Sequence, residues 1–272
     1  MENNANTSEK NFDKAFAMAW NENQGGYSEN LAKKILKFIR LQGLNVNTVL
    51  DVCCGSANFL NEMKANGKMC TGTEILDTYV AYNKSKYPNM SFYRTNSIDD
   101  LENLGQFDLI SCNHDVVNML PTLDDWGRFF KNVYEHLNNG GLFIFDYYTK
   151  RKLKDWNEVY FDNNDKIDYI KTVVSDGSNK TTISNIYYIN LINKQVDTNV
   201  DAFSREYSLT DTESKYKKAE DVVDEYYFEN QDIITKIKQA GYRYLITTDG
   251  NLNPISMIED VNRMHIIAIK HQ

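Results

Sequence analysis

Residues 48–60 read TVLDVCCGSANFL, a run of small residues, Cys53-Cys54-Gly55-Ser56-Ala57, set between an apolar segment ending in Asp51 and the start of a helical pattern. A buried strand, a small-residue loop and a helix form the layout in which backbone N–H groups at a helix N-terminus stay free to meet a ligand. A dinucleotide would need G-x-G-x-x-G there, so that its pyrophosphate can sit against bare backbone. Only Gly55 is present, with Cys53 in the first small position and Ala57 in the third. These side chains permit close approach without forming a phosphate fingerprint. A ligand with a carboxylate, an amine and a nucleoside, but no phosphates, fits better.

The elements that must position this loop follow from periodicity. Residues 1–11 read as disordered and 12–42 as helical, with Phe12, Phe16 and Trp20 spaced for one face, a break at Gly25-Gly26, and a second stretch ending at Gly43. Strands are expected at 48–52, 68–73, 90–95, 107–112 and 141–145. Helices are expected at 57–65, 78–86 and 123–137, the last closed by Asn-Gly-Gly. This alternation implies right-handed crossovers and a parallel sheet covered on both faces, with ligands at the carboxyl ends of its strands. The rhythm breaks at 150–230, where YIKTVV, KTTISNIYYINLI and AFSREYSL alternate at period two. A helix at 231–240 with Gly241 as its C-cap and strands at 242–248 and 264–270 complete the pattern. The fold class is therefore α/β: a doubly wound, mostly parallel, seven-stranded Rossmann-like sheet with an antiparallel β insertion after the fifth strand. The chain divides into a helical N-terminal cap at 1–43, a core at 44–150 and 231–272, and an insertion at 151–230 that serves as acceptor or lid region.

Composition narrows the class. With 272 residues the chain can bury a full α/β core. The polar start MENNANTSEK lacks the apolar region of a signal peptide and no apolar run reaches the roughly 20 residues of a membrane span, so a cytoplasmic protein without a membrane partner is expected. Four cysteines, Cys53, Cys54, Cys70 and Cys112, fall in or beside strands and form no CxxC pair, which argues for buried free thiols and no metal. Net charge is −8, and residues 155–232 hold 17 Asp and Glu against 8 Lys and Arg. Such a surface repels nucleic acid phosphates; it serves solubility or draws a cationic acceptor.

In order along the chain, VLDVCCGSANFLNEMKANG, CTGTEILDTYVAY, SFYRTNSIDDL, FDLISCNHDVVNML, HLNNGGLFIFD and IKQAGY resemble the successive motifs of the class I S-adenosylmethionine-dependent methyltransferases. The resemblance runs from about residue 20 and leaves out the insertion. It implies S-adenosylmethionine as cofactor. Backbone contacts to its methionine part fall to Cys53, Gly55, Ser56 and Ala57, and Asp51 orders the loop and the cofactor's amine. Glu74, ending the second strand about 20 residues after the loop, would hold the ribose hydroxyls, since a carboxylate accepts both protons. Ile75 would pack on adenine. Where the family usually has an adenine-binding aspartate this chain has Ser97, flanked by Asn96 and Ile98, whose backbone N–H would serve the base.

The fourth strand ends in Asn113-His114-Asp115, where the resemblance places the reacting methyl. The [DN]-P-P-[YF] motif of nucleic acid amino-methyltransferases is missing there, which disfavours nucleic acid as partner. The pattern is most similar to small-molecule N-methyltransferases of the amino-sugar and glycine or sarcosine type. In these an N-terminal aromatic residue meets the cofactor carboxylate, a role open to Tyr27, with Trp20 as a lid or a core residue. The expected acceptor is a small molecule, amine before hydroxyl. Its proton would go to His114 or Asp115 from one loop, or to Tyr147 or Tyr148 from another; His114 could also contribute only its backbone. Three other readings compete. One is a scaffold of the same fold that binds the cofactor or its demethylated product without turnover. Another is a nicotinamide dehydrogenase. The third is a metal-dependent catechol methyltransferase built on Asp115 and Asp146. Oligomeric state is not readable from the residues.

Overall fold

The computed structural model describes residues 14–163, 167–190, 216–249, 251–256 and 261–271. The expectations for residues 1–12, for the side chains of Phe16 and Trp20 and for a strand at 202–209 lie outside the described residues. Helix α1 (Lys14–Leu41) runs straight through Gly25-Gly26, where a break was expected. A helical glycine costs about 1 kcal/mol relative to alanine. Burial of Leu31, Ala32, Ile35 and Ile39 along one stripe offsets that cost. The helix stops where Gly43 turns left-handed at φ 62 and Leu44 N–H reaches back to the Ile39 carbonyl at 3.0 Å.

The core then follows as β1 (Thr48–Asp51), α2 (Asn58–Ala65), β2 (Met69–Glu74), α3 (Asp77–Lys86), β3 (Ser91–Arg94), β4 (Phe107–Cys112), a 3-10 turn (Val116–Met119), α4 (Leu123–Glu135), β5 (Leu137–Tyr148) and the short α5 (Lys150–Leu153). After the insertion come α6 (Asn230–Gln239) and two strands at Tyr244–Asp249 and Arg263–Ile269. With the inserted strands β6 to β9 numbered in between, these two are β10 and β11. The seven-stranded sheet has the order β3-β2-β1-β4-β5-β11-β10. β1 pairs in parallel with both β2 and β4, so the order reverses between β1 and β4 and leaves a crevice at their carboxyl ends. β11 runs antiparallel between β5 and β10, which brings its first residue, Arg263, beside Tyr148 at that same end.

Alternation along the strands fills both faces. Val49, Leu109, Leu142 and Ile144 pack with Ile35, Phe59 and Leu60 of α1 and α2. Leu50, Ile110, Phe143 and Phe145 pack with Trp126, Phe129 and Ile233 of α4 and α6. The expected Asn-Gly-Gly loop after α4 is part of β5. Gly140 takes φ 78, and the β4–β5 register shifts between Phe107 and Leu109.

Among its described residues the insertion forms a four-stranded antiparallel sheet, β6 (Glu158–Asn163), β7 (Ile167–Ser175), β8 (Lys180–Asn190) and β9 (Tyr216–Tyr226), in that order. β7 and β8 match the period-two segments; β6 and β9 were not anticipated. In β9 the inward positions include Asp221 and Glu225, both buried, while Val222 is exposed. Its apolar and polar faces are reversed at these positions, and the alternation signal that marks a half-buried strand is lost.

Candidate active site

The loop after β1 is strained and clamped. Cys53, Gly55 and Ala57 all adopt left-handed φ values of 55, 49 and 59. The Glu74 carboxylate at the end of β2 accepts the Gly55 N–H at 3.0 Å, and also those of Ile75 at 2.7 Å and Leu76 at 3.2 Å. From α3, Asn83 donates to the Gly55 carbonyl at 2.7 Å. Under the loop lies Gly72: a Cβ there would come within 2.6 Å of Cys54 Sγ and 2.9 Å of Phe92. Loop ordering, which the resemblance assigned to Asp51, is thus carried by Glu74. Burial raises its carboxyl above the usual value, against the pull of its three backbone donors.

Asp51 instead faces β4, where its Oδ1 accepts from Ser111 Oγ at 2.6 Å and from Asn113 Nδ2 at 3.4 Å. Burial, with the charge of Glu74 adding to it, pushes its carboxyl up to about 7. Beside it, Asn113 Oδ1 is buried without a partner among the described residues. An orphaned acceptor next to a carboxyl of raised pKa suits a cationic guest.

At the end of β4 the chain turns through two consecutive left-handed residues, His114 at φ 63 and Asp115 at φ 53. This turn is tied from beneath. Asp115 N–H donates to Asp146 Oδ1 at 3.2 Å, and Arg263 puts Nη1 on Asp146 and Nη2 on Asp115. Burial alone would raise the Asp146 carboxyl, but Arg263 overrides it and holds it below its ordinary value. The Arg263 guanidinium also lies 4.3 Å from the centre of the Tyr148 ring. His114 Nε2 is 2.6 Å from Ser28 Oγ, and its ring meets Tyr27 edge-on at 4.9 Å. Burial lowers the His114 pKa from the usual imidazole value, with Asp146 and Asp115 opposing.

One cavity of about 270 Å³ opens between the sheet end and the insertion. Of the expected site residues, Asp51, Cys53, Gly55, Ser56, Glu74, Ile75, Asn113, His114 and Asp115 line it. Others stand elsewhere. Tyr147 is buried on the opposite face of β5 against Trp126, its hydroxyl donating to Asn230 Oδ1 at 3.1 Å, because successive strand residues point to opposite faces. Its neighbour Tyr148 lines the cavity instead. The Tyr27 hydroxyl turns to His265 Nε2 at 3.0 Å and Asp146 at 3.4 Å, and Ser28 takes its place at the wall. Ala57 is fully buried beneath the loop. Asn96 and Ser97 are engaged with Asp100 and Asp99, and Ile98 packs on the core, so none of the three lines the cavity.

Sequence reading set the insertion aside as an acceptor or lid region but named none of the residues by which it forms the opposite wall. Tyr169 and Lys171 of β7, Ile183 and Asn185 of β8, and Asp221, Val223 and Glu225 of β9 line it, at a spacing of two along each strand. Period two announces such a face; which face turns inward is decided by docking. Arg263 carried no local signal beyond opening a strand.

The methyltransferase-domain family model matches residues 23–173. A Geobacillus sp. (strain WCH70) protein, assigned to the methyltransferases by name only, is 25% identical over 148 residues, which are 52% of this chain and 59% of that protein. A dTDP-4-amino-2,3,4,6-tetradeoxy-D-glucose N,N-dimethyltransferase of Saccharopolyspora spinosa is 24% identical over 115 residues, 42% of this chain and 46% of that one. The chain thus spans about half the length of the curated relatives it matches. The crystal structure of an S-adenosylmethionine-dependent methyltransferase from Clostridium acetobutylicum ATCC 824 superposes with a TM-score of 0.76 at 19% identity, covering 95% of this chain and 98% of that one, and so shares the fold. With the family's sequence pattern over more than half its length and this sheet order, the chain belongs to the methyltransferase-domain family.

Proposed function

We propose that the chain moves a methyl group from S-adenosylmethionine to a small-molecule acceptor, an amine in preference to a hydroxyl. The observation that carries this reading is the pairing of two unlike walls around one cavity: a backbone-rich loop with two buried carboxyls, Asp51 and Glu74, on one side, and the polar face of the inserted sheet on the other. The first wall suits the cofactor. Asp51 and the unpartnered Asn113 Oδ1 offer acceptors to its ammonium, and Glu74 Oε2, which accepts one backbone N–H where Oε1 accepts two, keeps a lone pair for a ribose hydroxyl. When bound, the cofactor supplies a methyl already activated on a sulfonium, so no nucleophilic side chain is needed. In this reading residues 1–43 cap the cofactor, 44–150 and 231–272 hold it, and 151–230 encloses the acceptor.

The chain's own residues then align an acceptor lone pair, exclude water and take a proton. The last task falls to His114 or to a group on the facing wall; burial lowers the His114 pKa and so favours the neutral, accepting imidazole. Asp115 is fixed by Arg263 and orients the same turn. The amino-sugar substrate named for the Saccharopolyspora relative supports an amine acceptor, as does the acidic face of the insertion. Free thiols at Cys53, Cys54, Cys70 and Cys112 support a cytoplasmic setting. Among the described residues no helix is long and apolar enough to cross a membrane.

Incubating the protein with heavy-methyl cofactor and a metabolite extract, followed by mass spectrometry, tests the reading. A labelled small amine supports it. Turnover only on duplex DNA, RNA or folded protein would overturn it. Calorimetry isolates the cofactor half: Glu74→Ala should weaken S-adenosylhomocysteine by about 1.5–3 kcal/mol, and unchanged affinity in the folded variant would remove Glu74 from the site.

A further inference from the structure

Most carboxyl groups around the cavity already have partners. Glu74 is held by three backbone N–H groups, Asp51 by Ser111 and Asn113, and Asp115 and Asp146 by Arg263. Asp221 accepts from Asn185 and from the Val222 N–H. Glu225 differs. It is 3% exposed, one side of its carboxyl is hydrogen-bonded to Asp115, and its Oε2 has no partner among the described residues. A buried carboxyl oxygen left unsatisfied is costly, and its place on a cavity wall makes it a docking point for a donor from a ligand.

Resting on the methyltransferase reading above, we propose that Glu225, carried by the inserted sheet, is the residue that binds the acceptor's ammonium group at Oε2 and takes the proton the nitrogen must lose. Burial, with Asp115 adding to it, pushes the Glu225 carboxyl well above its usual range. The groups around it are Asp115, Arg263, Lys171, Lys152 and Tyr148; burial and Asp115 outweigh the pull of the cations, so Glu225 favours its protonated form. An ammonium entering this subsite displaces that proton to solvent and pairs with the carboxylate. For transfer, Glu225 takes one proton from the ammonium; the lone pair so freed forms the N–C bond as the methyl leaves sulfur, which keeps the bonding pair. The methylated product departs as an ammonium and Glu225 is left protonated, as it began. A hydroxyl acceptor cannot drive this exchange, because it brings no positive charge to replace the displaced proton. Glu225 is therefore the point at which the insertion selects amines.

The test titrates 4-aminocyclohexanol and, separately, cyclohexane-1,4-diol into the protein saturated with S-adenosylhomocysteine, by calorimetry in buffers of different ionisation enthalpy. The amine should bind at least about tenfold more tightly than the diol and release a proton, seen as a buffer-dependent heat; the diol should release none. Glu225→Gln, isosteric with the protonated side chain, should fold normally by circular dichroism and keep its S-adenosylhomocysteine affinity. It should bind amine and diol alike and release no proton. Equal binding of the two compounds by the wild type, binding of neither, or an amine preference that survives Glu225→Gln would overturn the assignment. Failure to bind S-adenosylhomocysteine at the outset would overturn the methyltransferase reading itself, a distinct result.

Discussion

Arg263 stands between two carboxylates from different elements, one guanidinium nitrogen on Asp146 in β5 and the other on Asp115 in the turn after β4, with all three side chains largely shielded from water. Breaking a buried pair by removing one partner strands the other, at a cost of about 3–5 kcal/mol. Arg263→Met should lose that much at neutral pH. Asp146 is held below its usual value in the fold, so it stabilises above that value and the contribution is lost as pH falls through it. In the variant Asp146 loses the guanidinium that holds its carboxyl low and protonates more readily, and the gap to wild type should narrow from pH 7.5 to pH 5. Urea denaturation at the two values checks this; a constant gap would refute it.

Gly72 gives room for the loop after β1. An alanine methyl would press on Cys54 Sγ and Phe92, with an overpacking cost of about 1–3 kcal/mol. Gly72→Ala should lower the melting temperature and weaken S-adenosylhomocysteine. Adding Cys54→Ala should restore part of both, since it removes the nearer contact. Additive losses in the double variant would show that the two positions are independent.

Asp51 titrates inside the physiological range. A carboxyl raised to about 7 is mostly protonated at pH 6 and must ionise to receive an ammonium. Affinity for S-adenosylhomocysteine should rise roughly five- to tenfold from pH 6 to pH 7.5. Asp51→Asn should bind more weakly with a flat profile over that interval. For the unliganded fold the sign is opposite to that of Asp146: a raised carboxyl stabilises at low pH, and the contribution is lost as pH rises through about 7. Calorimetry across the interval decides the matter.

His114 separates proton transfer from support. If it takes a proton, turnover should fall about 10²–10⁴-fold in His114→Asn. The acidic limb of the rate profile should disappear, and S-adenosylhomocysteine affinity should hold. That limb should lie below the ordinary imidazole value of about 6.5, because burial lowers this group. The same lowering makes the fold lose stability as pH drops through about 6.5, where the unfolded chain binds the proton first. A pH–rate series on both proteins, with folded fractions measured, distinguishes the cases; an unchanged limb would leave His114 a backbone role.

The sheet-end wall of the cavity was readable because its parts are local. The β1 loop, Glu74 and Asn113-His114-Asp115 each sit at the end of a strand whose apolar run is plain in the sequence, and all line the cavity. Tyr147 and Tyr148 show the limit, since adjacent residues in a strand face opposite ways and nothing local says which faces the core. The Gly25-Gly26 pair shows another: tertiary burial of one helix face outweighed two unfavourable residues. The wall built by the insertion was illegible for a third reason. Its inward face on β9 carries Asp221 and Glu225, so the polarity pattern points the wrong way until the sheet is docked.

The antiparallel β11 also sets an order of events during synthesis. Asp115 and Arg263 are 148 residues apart, and a ribosome adding roughly 5–20 residues per second makes the first many seconds before the second. Through that interval the nascent sheet carries Asp115 and Asp146 with no counter-charge between them, and a gap where β11 will lie. The carboxylates resist early collapse of the site, while the unpaired edge of β5 waits for its strand. Completion of the charge triad therefore coincides with closure of the sheet, so that a chain able to hold its turn after β4 in place is also one whose last strand has docked.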